Sequence, residues 1–157
     1  ALTRPTVSFG SSDLSSWVTT SAVTMDYMFS NAKQFNSQLT NFVTSKVTSM
    51  FRMFLQADKF NQPLSHFDTS KVTRMAGMFT WAKKFNQDIS TFDLSSMTSM
   101  SGMFVNAQAF NKKWCDVQFD GKIAKGDFLG SKGMMLCKYL ICRFYLNVVT
   151  VAIFNTD

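Results

Sequence analysis

Hydrophobic and polar positions along the chain repeat with a period of 25 residues. The clearest markers are four Phe-Asn pairs in unbroken register, which begin at Phe35, Phe60, Phe85 and Phe110. Counting back one more period aligns a further unit, in which Gly10 takes the place of the Phe. A fixed period of this length is typical of repeat proteins, in which each unit buries its apolar side against its neighbours. The pattern therefore predicts a solenoid with units starting near residues 10, 35, 60 and 85.

Each unit contains two apolar segments with different spacings. In the third unit the first segment pairs Leu64 with Phe67 between polar residues, which is typical of a short strand. The second segment has apolar residues at i, i+3, i+4 and i+7, the spacing of one helix face: Met75, Met78, Phe79 and Ala82. The sequence therefore predicts an α/β repeat solenoid with one short strand and one short helix in each 25-residue coil.

Several repeated columns are predicted to have structural roles. The Met column has the period of the core-facing side, so we expect it to lie in the core and not to form an adaptable binding surface. Two polar columns are expected to form hydrogen-bonded ladders, because tight bends leave backbone groups that need partners. These columns are Asn36, Asn61, Asn86 and Asn111, and Thr48, Thr73 and Thr98.

The repeat consensus is F-N-x-x-[LI]-[ST]-x-F-x-x-S-x-[VM]-T-x-M-x-x-M-F-x-x-A. It resembles the BspA-like surface-protein repeat, a leucine-rich-repeat relative, and the match is carried by the Phe-Asn pairs, by Val72-Thr73 with Met75, and by Met-Phe pairs such as Met78-Phe79. The resemblance covers residues 10–111 and implies a leucine-rich-repeat-like fold. It also implies a role in adhesion or protein binding at the cell surface or outside the cell. It brings no catalytic residues, because the family motif is structural.

The periodicity ends after Asn111, so the sequence predicts a lead-in at residues 1–9, the solenoid at 10–111 and a separate segment at 112–157. Within that last segment, Met134–Phe154 is strongly apolar but contains Lys138 and Arg143. One interpretation is an irregular cap over the open end of the core. A second is a docking segment for a larger assembly. A third is a membrane segment, which the internal basic residues disfavour.

Composition adds limits without naming a function. The formal net charge of +6 permits an acidic partner, and the abundance of Phe and Met, 17 and 11 residues, follows from the repeated core columns. The three cysteines, Cys115, Cys137 and Cys142, cannot form a closed disulfide framework and lack zinc-site spacing. They fit one bridge with one free thiol, or three reduced thiols. Because the chain begins at Ala1, we expect a processed or partial form.

The sequence offers no assembled catalytic centre. His66 is the single histidine, and no carboxylates cluster with it in the sequence. Asp68 and Asp93 occupy one column, but a serine follows each at the spacing of a turn or cap. Motifs for phosphate-binding loops or nucleophile elbows do not occur. We therefore expect a protein without enzymatic activity, cofactor or metal.

The candidate partner-binding residues fall into two groups. One group is predicted on the outer side of the strand layer: Thr40, Asn41, Ser65, His66, Ser90 and Thr91. The other comprises Trp81, at an outward helix position, and Lys71 with Arg74, part of a basic ridge that suits an acidic partner or anionic lipid. Nucleic acid is disfavoured, because no exposed aromatic column alternates with the basic one.

Two classes of function compete on this evidence. The first is an interaction module that presents the solenoid surface to another protein. The second is a structural accessory subunit of a larger complex, embedded in an organellar or other membrane and contacted through Met134–Phe154. A flat threonine-rich ice-binding face is disfavoured, because the repeats lack a T-x-T array.

Overall fold

The computed structural model describes residues 14–112. Single-residue parallel bridges join Thr24 to Ser49, Ser49 to Arg74 and Arg74 to Ser99, always 25 residues apart. The described chain is therefore a stack of parallel coils in which each 25-residue unit lies against the next. We number these coils 1 to 4, and they comprise residues 14–34, 35–59, 60–84 and 85–109.

The predicted α/β architecture is wrong for these residues, because residues 14–112 contain neither a helix nor an extended strand. In coil 3, the segment assigned to a helix forms two consecutive four-residue turns, Met75–Met78 and Phe79–Ala82, closed by N–H to carbonyl bonds of 3.1 and 3.0 Å. Gly77 and Trp81, the third residues of these turns, have φ of 65° and 60°. A positive φ at this position is the signature of a type II turn and is incompatible with a continuing right-handed helix.

Hydrogen bonds between coils explain why turns replace the helix. Along Met50–Gln56 in coil 2, every second N–H donates to a carbonyl of coil 3 at 2.8–3.0 Å. Corresponding bonds run from coil 1 to coil 2 and from coil 3 to coil 4. A helix would direct these N–H groups to carbonyls four residues back in its own segment. The i, i+3, i+4 spacing of apolar residues fits consecutive four-residue turns as well as it fits a helix.

The segment predicted as a strand is also a turn. The Phe67 N–H donates to the Leu64 carbonyl at 3.0 Å, and Phe42 and Phe92 make the same bond to Leu39 and Ile89. The two apolar residues of each pair point into the core, where all six are at least 95% buried. The alternation of buried and exposed residues therefore comes from a turn and not from extended chain.

Stacked phenylalanine rings fill the core. Phe54 and Phe79 in adjacent coils have centroids 5.6 Å apart and planes within 2° of parallel. Within coil 3, Phe79 also stacks on Phe85, the first residue of the next coil, at 3.9 Å. The Met column is buried beside these rings, as predicted, and Met75 has no exposed surface. The two ring ladders are Phe29, Phe54, Phe79 and Phe104, and Phe35, Phe60, Phe85 and Phe110.

The predicted asparagine ladder is confirmed. The Oδ1 atoms of Asn36, Asn61 and Asn86 accept hydrogen bonds from the N–H groups of the asparagines one coil further on, at 2.8, 2.9 and 3.0 Å. Asn111 is the last donor in this series. Each side chain thus satisfies a backbone group at the bend where one coil leads into the next.

Threonine hydroxyls form two further ladders. In the predicted one, the hydroxyl of Thr73 donates to the Thr48 carbonyl at 3.1 Å, and the hydroxyl of Thr98 donates to the Thr73 carbonyl at 2.9 Å. A second ladder was not predicted, and its threonines are buried. In it, the hydroxyls of Thr44 and Thr69 donate to carbonyls of the following coil, each at 3.0 Å.

Alanine at Gly77 is expected to destabilise the stack more than alanine at Gly102. The two glycines have φ of 65° and 67°, so each alanine would carry the left-handed cost of about 1–2 kcal/mol. A Cβ at Gly77 would also lie 3.0 Å from the Cγ of Arg52, whereas the nearest atom at Gly102 is on Val105, 3.7 Å away. Urea titrations of both variants measure the difference. Equal losses would contradict the position of Arg52 against coil 3.

Several predictions concern residues outside the described range. They are the lead-in at 1–9, Gly10 as the start of the first unit, the three cysteines and the three interpretations of Met134–Phe154. Between residues 14 and 112, no helix is long and apolar enough to cross a membrane.

Candidate functional site

The first group of predicted binding residues lies on turns and not on a strand layer, so that part of the prediction is wrong. All six are exposed and occupy the middle positions of the turns that begin at Leu39, Leu64 and Ile89. The turns align in one column along the stack, so the structure brings these residues together: Thr40 and Asn41, Ser65 and His66, Ser90 and Thr91.

Two members of this column hold neighbouring coils together. The Asn41 Nδ2 donates to the carbonyls of Leu14 at 2.9 Å and Trp17 at 3.2 Å. The His66 Nε2 lies 2.8 Å from the Leu39 carbonyl, and since a carbonyl only accepts, that nitrogen carries the proton. The His66 ring also meets Phe67 edge-on, with centroids 5.0 Å apart. Asn41 and His66 therefore have a structural role in the stack.

Aspartates stabilise the turns of the same surface. The Asp68 carboxylate accepts hydrogen bonds from the Ser70 hydroxyl at 2.6 Å and from the Ser70 N–H at 3.0 Å. These two bonds lower the pKa of Asp68 from its ordinary value. Asp93 and Ser95 repeat the arrangement one coil further on, with the pKa of Asp93 lowered in the same way. The column of carboxylates thus closes turns, as its spacing predicts.

Acidification is expected to remove a stabilising contribution of Asp68. Because the folded state lowers the pKa of this carboxyl, ionisation stabilises the stack above the pKa of the unfolded chain. That contribution is lost as the pH falls through the lowered folded pKa. Stability should therefore fall less steeply between about pH 4 and pH 2 in Asp68→Asn than in the native chain. Urea titrations across this range measure both slopes, and identical slopes would contradict the assignment.

A different surface combines aromatic and basic side chains, and we call it the Arg-aromatic face: Tyr27, Phe51, Arg52, Arg74 and Trp81. The guanidinium carbons of Arg74 and Arg52 lie 3.7 and 4.9 Å from the centroid of the Phe51 ring. Tyr27 meets the same ring edge-on, with centroids 5.2 Å apart. One half-buried ring thus organises the two arginines and a tyrosine.

The turns of the stack place these side chains together. Phe51 and Arg52 are the middle residues of the turn Met50–Met53, and Arg52 has a φ of 53°. Arg74 stands in coil 3 at the bridge to Ser49, which brings it next to the start of that turn. Parallel stacking therefore converts positions 22 or more residues apart in sequence into neighbours.

The Arg-aromatic face borders an open depression of about 490 Å³. Two glycines without side chains, Gly77 and Gly102, lie among its lining residues, together with Arg52 and Trp81. Trp81 is 40% exposed, which is unusual for the largest aromatic side chain in the described chain. The predicted outward position of Trp81 is therefore confirmed, although it stands on a turn and not on a helix.

The predicted basic ridge divides between two places. Arg74 belongs to the Arg-aromatic face through its contact with Phe51. Lys71 is exposed beside Lys46 in the neighbouring coil, in the column that precedes the bridges. A separate ion pair joins Lys83 to Asp58 at 3.0 Å. Residues 14–112 hold no group of three or more His, Cys, Asp or Glu side chains suited to a metal ion.

The family model described as "Mycoplasma protein of unknown function, DUF285" matches residues 3–117. The chain belongs to this family. The matched range includes all four described coils, so the DUF285 assignment covers the stack and the Arg-aromatic face together. No curated protein and no solved structure matches the chain.

Sequence reasoning missed Tyr27, Phe51 and Arg52 in this DUF285 chain. The helix prediction assigned their positions to a solvent-facing side without grouping them. A usable signal was present in the repeats themselves, because the column that contains Phe51 changes chemical class in every coil. Its members are Asp26, Phe51, Ala76 and Ser101.

Proposed function

We propose that this DUF285 chain is a non-enzymatic module that binds another protein through the Arg-aromatic face. The observation that carries the proposal is a contrast between the inner and outer columns of the stack. Inner columns repeat almost without change, as the stacked rings of Phe54 and Phe79 illustrate. Outer columns vary, and one of them reads Tyr27, Arg52, Gly77 and Gly102. A uniform scaffold with a non-uniform surface fits recognition of a particular partner.

The composition of the face supports the same proposal. Tryptophan, tyrosine and arginine are the side chains that most often dominate protein–protein binding energy. Here a tryptophan is exposed, and two arginines are held against a ring at a surface that also contains an open depression. Trp81 and the arginines therefore supply the types of contact that anchor a protein partner.

The absence of catalysis is part of the proposal. His66 and Asp68 could serve as acid or base, but each is already hydrogen-bonded within the stack. Their partners are the Leu39 carbonyl and Ser70, which are structural groups. A catalytic centre would need a nucleophile and base in contact, with an orienting group beside them. Such a set is not assembled between residues 14 and 112.

The resemblance to BspA-like repeats supports the finer form of this proposal, in which the module acts in adhesion at the cell surface. A different form is a stable accessory subunit of a larger complex. The two forms differ in how the chain behaves in its source cells. An adhesion module exists partly free and is reached by reagents outside the cell, whereas a subunit stays with its complex.

Photo-crosslinking tests the proposal in the full chain. A photoreactive phenylalanine analogue replaces Trp81 in one variant and Thr91, on the column of exposed turns, in the other. The expected result is a discrete crosslinked protein at position 81 and none at position 91. No crosslink at position 81 would overturn the proposal. Crosslinks at both positions, with all of the chain eluting in one large assembly, would support the accessory subunit instead.

A further inference from the structure

We propose that Arg52 and Arg74 form a binding site for a carboxylate-rich segment of the partner protein. This inference rests on the proposed protein-binding function and adds the chemistry of the partner. It starts from the stacking of both guanidinium groups over Phe51. A guanidinium that stacks through its planar face keeps its N–H donors at its edge, where they can bind a carboxylate with two parallel hydrogen bonds.

Preorganisation strengthens this argument. An arginine on an open surface loses side-chain freedom when it binds a ligand, and this loss reduces the affinity. Arg74 is already held at 3.7 Å from the Phe51 centroid. Arg52 is packed against coil 3, where a Cβ on Gly77 would come within 3.0 Å of its Cγ. Both donors are therefore positioned before a ligand arrives.

The charges on the face are unbalanced. Among residues 14–112, the ion pair is that between Lys83 and Asp58, so neither arginine of the face is neutralised by a described carboxylate. Asp26 is the acidic residue in the same columns, but its Oδ1 accepts hydrogen bonds from the Ser49 hydroxyl and from the Phe51 N–H. Two positive charges thus stand against one carboxylate that is already engaged, which favours an acidic ligand.

The depression explains how a peptide segment would fit. Gly77 and Gly102 leave two adjacent coils without side chains, so the backbone of a ligand can come close there. Arg52 lies on this depression, and Trp81, 40% exposed, offers an apolar contact beside it. An extended peptide that carries carboxylates next to one apolar residue matches both features.

A nucleic acid fits the face less well than an acidic peptide. Single strands bind through successive exposed aromatic faces that stack with their bases. The Phe51 ring is covered by guanidinium groups, and its edge contacts Tyr27. Trp81 is then the remaining exposed aromatic surface on the face, which gives one stacking position and not a series.

Isothermal titration of the full chain with a defined peptide tests the inference. The probe is acetyl-Glu-Glu-Leu-Glu-Glu-amide, and the control peptide has Gln at every Glu position. The expected result is binding of the Glu peptide, with the Gln peptide at least about tenfold weaker. The double variant Arg52→Gln/Arg74→Gln should weaken binding of the Glu peptide by about tenfold or more. An unchanged thermal midpoint shows that this variant is folded.

The matched control is Lys46→Gln/Lys71→Gln, which removes the same charge from an exposed column outside the face. Its expected effect is less than about threefold, because exposed charges at a distance are screened by salt. Equal losses in the two double variants would overturn the inference, since net charge alone would then explain binding. Tighter, arginine-dependent binding of an oligothymidylate or of anionic vesicles would overturn it as well.

The inference and the underlying function fail in different ways. No binding of the Glu peptide, combined with a discrete crosslinked protein at position 81, would overturn the acidic-segment inference and leave the protein-binding function in place. Loss of the crosslink in Arg52→Gln/Arg74→Gln would support both.

Discussion

Replacing Phe79 with alanine is expected to lower the free energy of unfolding by about 3–5 kcal/mol. Phe79 has no exposed surface and stacks on rings in both adjacent coils, with centroids 5.6 Å from Phe54 and 5.5 Å from Phe104. It also stacks on Phe85 at 3.9 Å. Alanine would remove all three contacts and leave a cavity in the middle of the stack.

Repeat architecture enlarges the consequence of this change. Each coil contacts only its neighbours, so coil 3 joins coils 2 and 4 through the interfaces at which Phe79 lies. A weakened coil 3 therefore reduces the cooperativity of unfolding as well as the stability. A urea titration followed by circular dichroism measures both, because a lower slope accompanies a loss of two-state behaviour.

Two variants serve as controls for Phe79→Ala. Phe79→Leu retains most of the buried volume and should lose clearly less stability. Trp81→Ala removes a larger aromatic side chain from the surface of the same coil and should change stability by only about 1 kcal/mol or less. If Phe79→Ala cost no more than Trp81→Ala, the stacked-ring core would be contradicted.

Asn61→Leu is expected to lower the free energy of unfolding by about 1–3 kcal/mol. The Oδ1 of Asn61 accepts hydrogen bonds from the Asn86 N–H at 2.9 Å and from the Gln87 Nε2 at 3.0 Å. Leucine is similar in size but accepts no hydrogen bond. The Asn86 N–H would then lose its partner at the bend between coils 3 and 4, and an unpaired backbone donor is costly where water is excluded.

Asn61→Asp is the matched control for the ladder. Aspartate keeps the acceptor oxygen in nearly the same position, so this variant should retain most of the stability that leucine loses. Thermal unfolding of the three proteins provides the comparison. A midpoint for Asn61→Leu equal to that of the native chain would show that the ladder does not stabilise the stack.

The candidate site could be anticipated only in part from the sequence. Trp81 and Arg74 were correctly predicted to be exposed, because they interrupt otherwise polar or small columns of the repeat. Asn41 and His66 were assigned to a binding surface but bond to carbonyls of the preceding coil. Phe51 was missed, since its role depends on two arginines that only stacking brings to its ring.

The sequence by itself determined the period, the buried columns and the asparagine ladder. These features follow from repetition, because an apolar or amide side chain at a fixed position must meet its own equivalent in the next unit. Phe54 above Phe79 and Asn61 above Asn86 are direct consequences of the 25-residue register. The family match over residues 3–117 extends over this same repeated region.

Only the tertiary structure decided the local backbone conformation and, with it, the Arg-aromatic face. Helices and consecutive turns place apolar residues at the same spacing, so the pattern around Met75 could not separate them. The choice depends on where the backbone N–H groups find acceptors. In this chain Met75 and Gly77 donate to Ser99 and Ser101, 24 residues away, and those bonds form only once the next coil is in place.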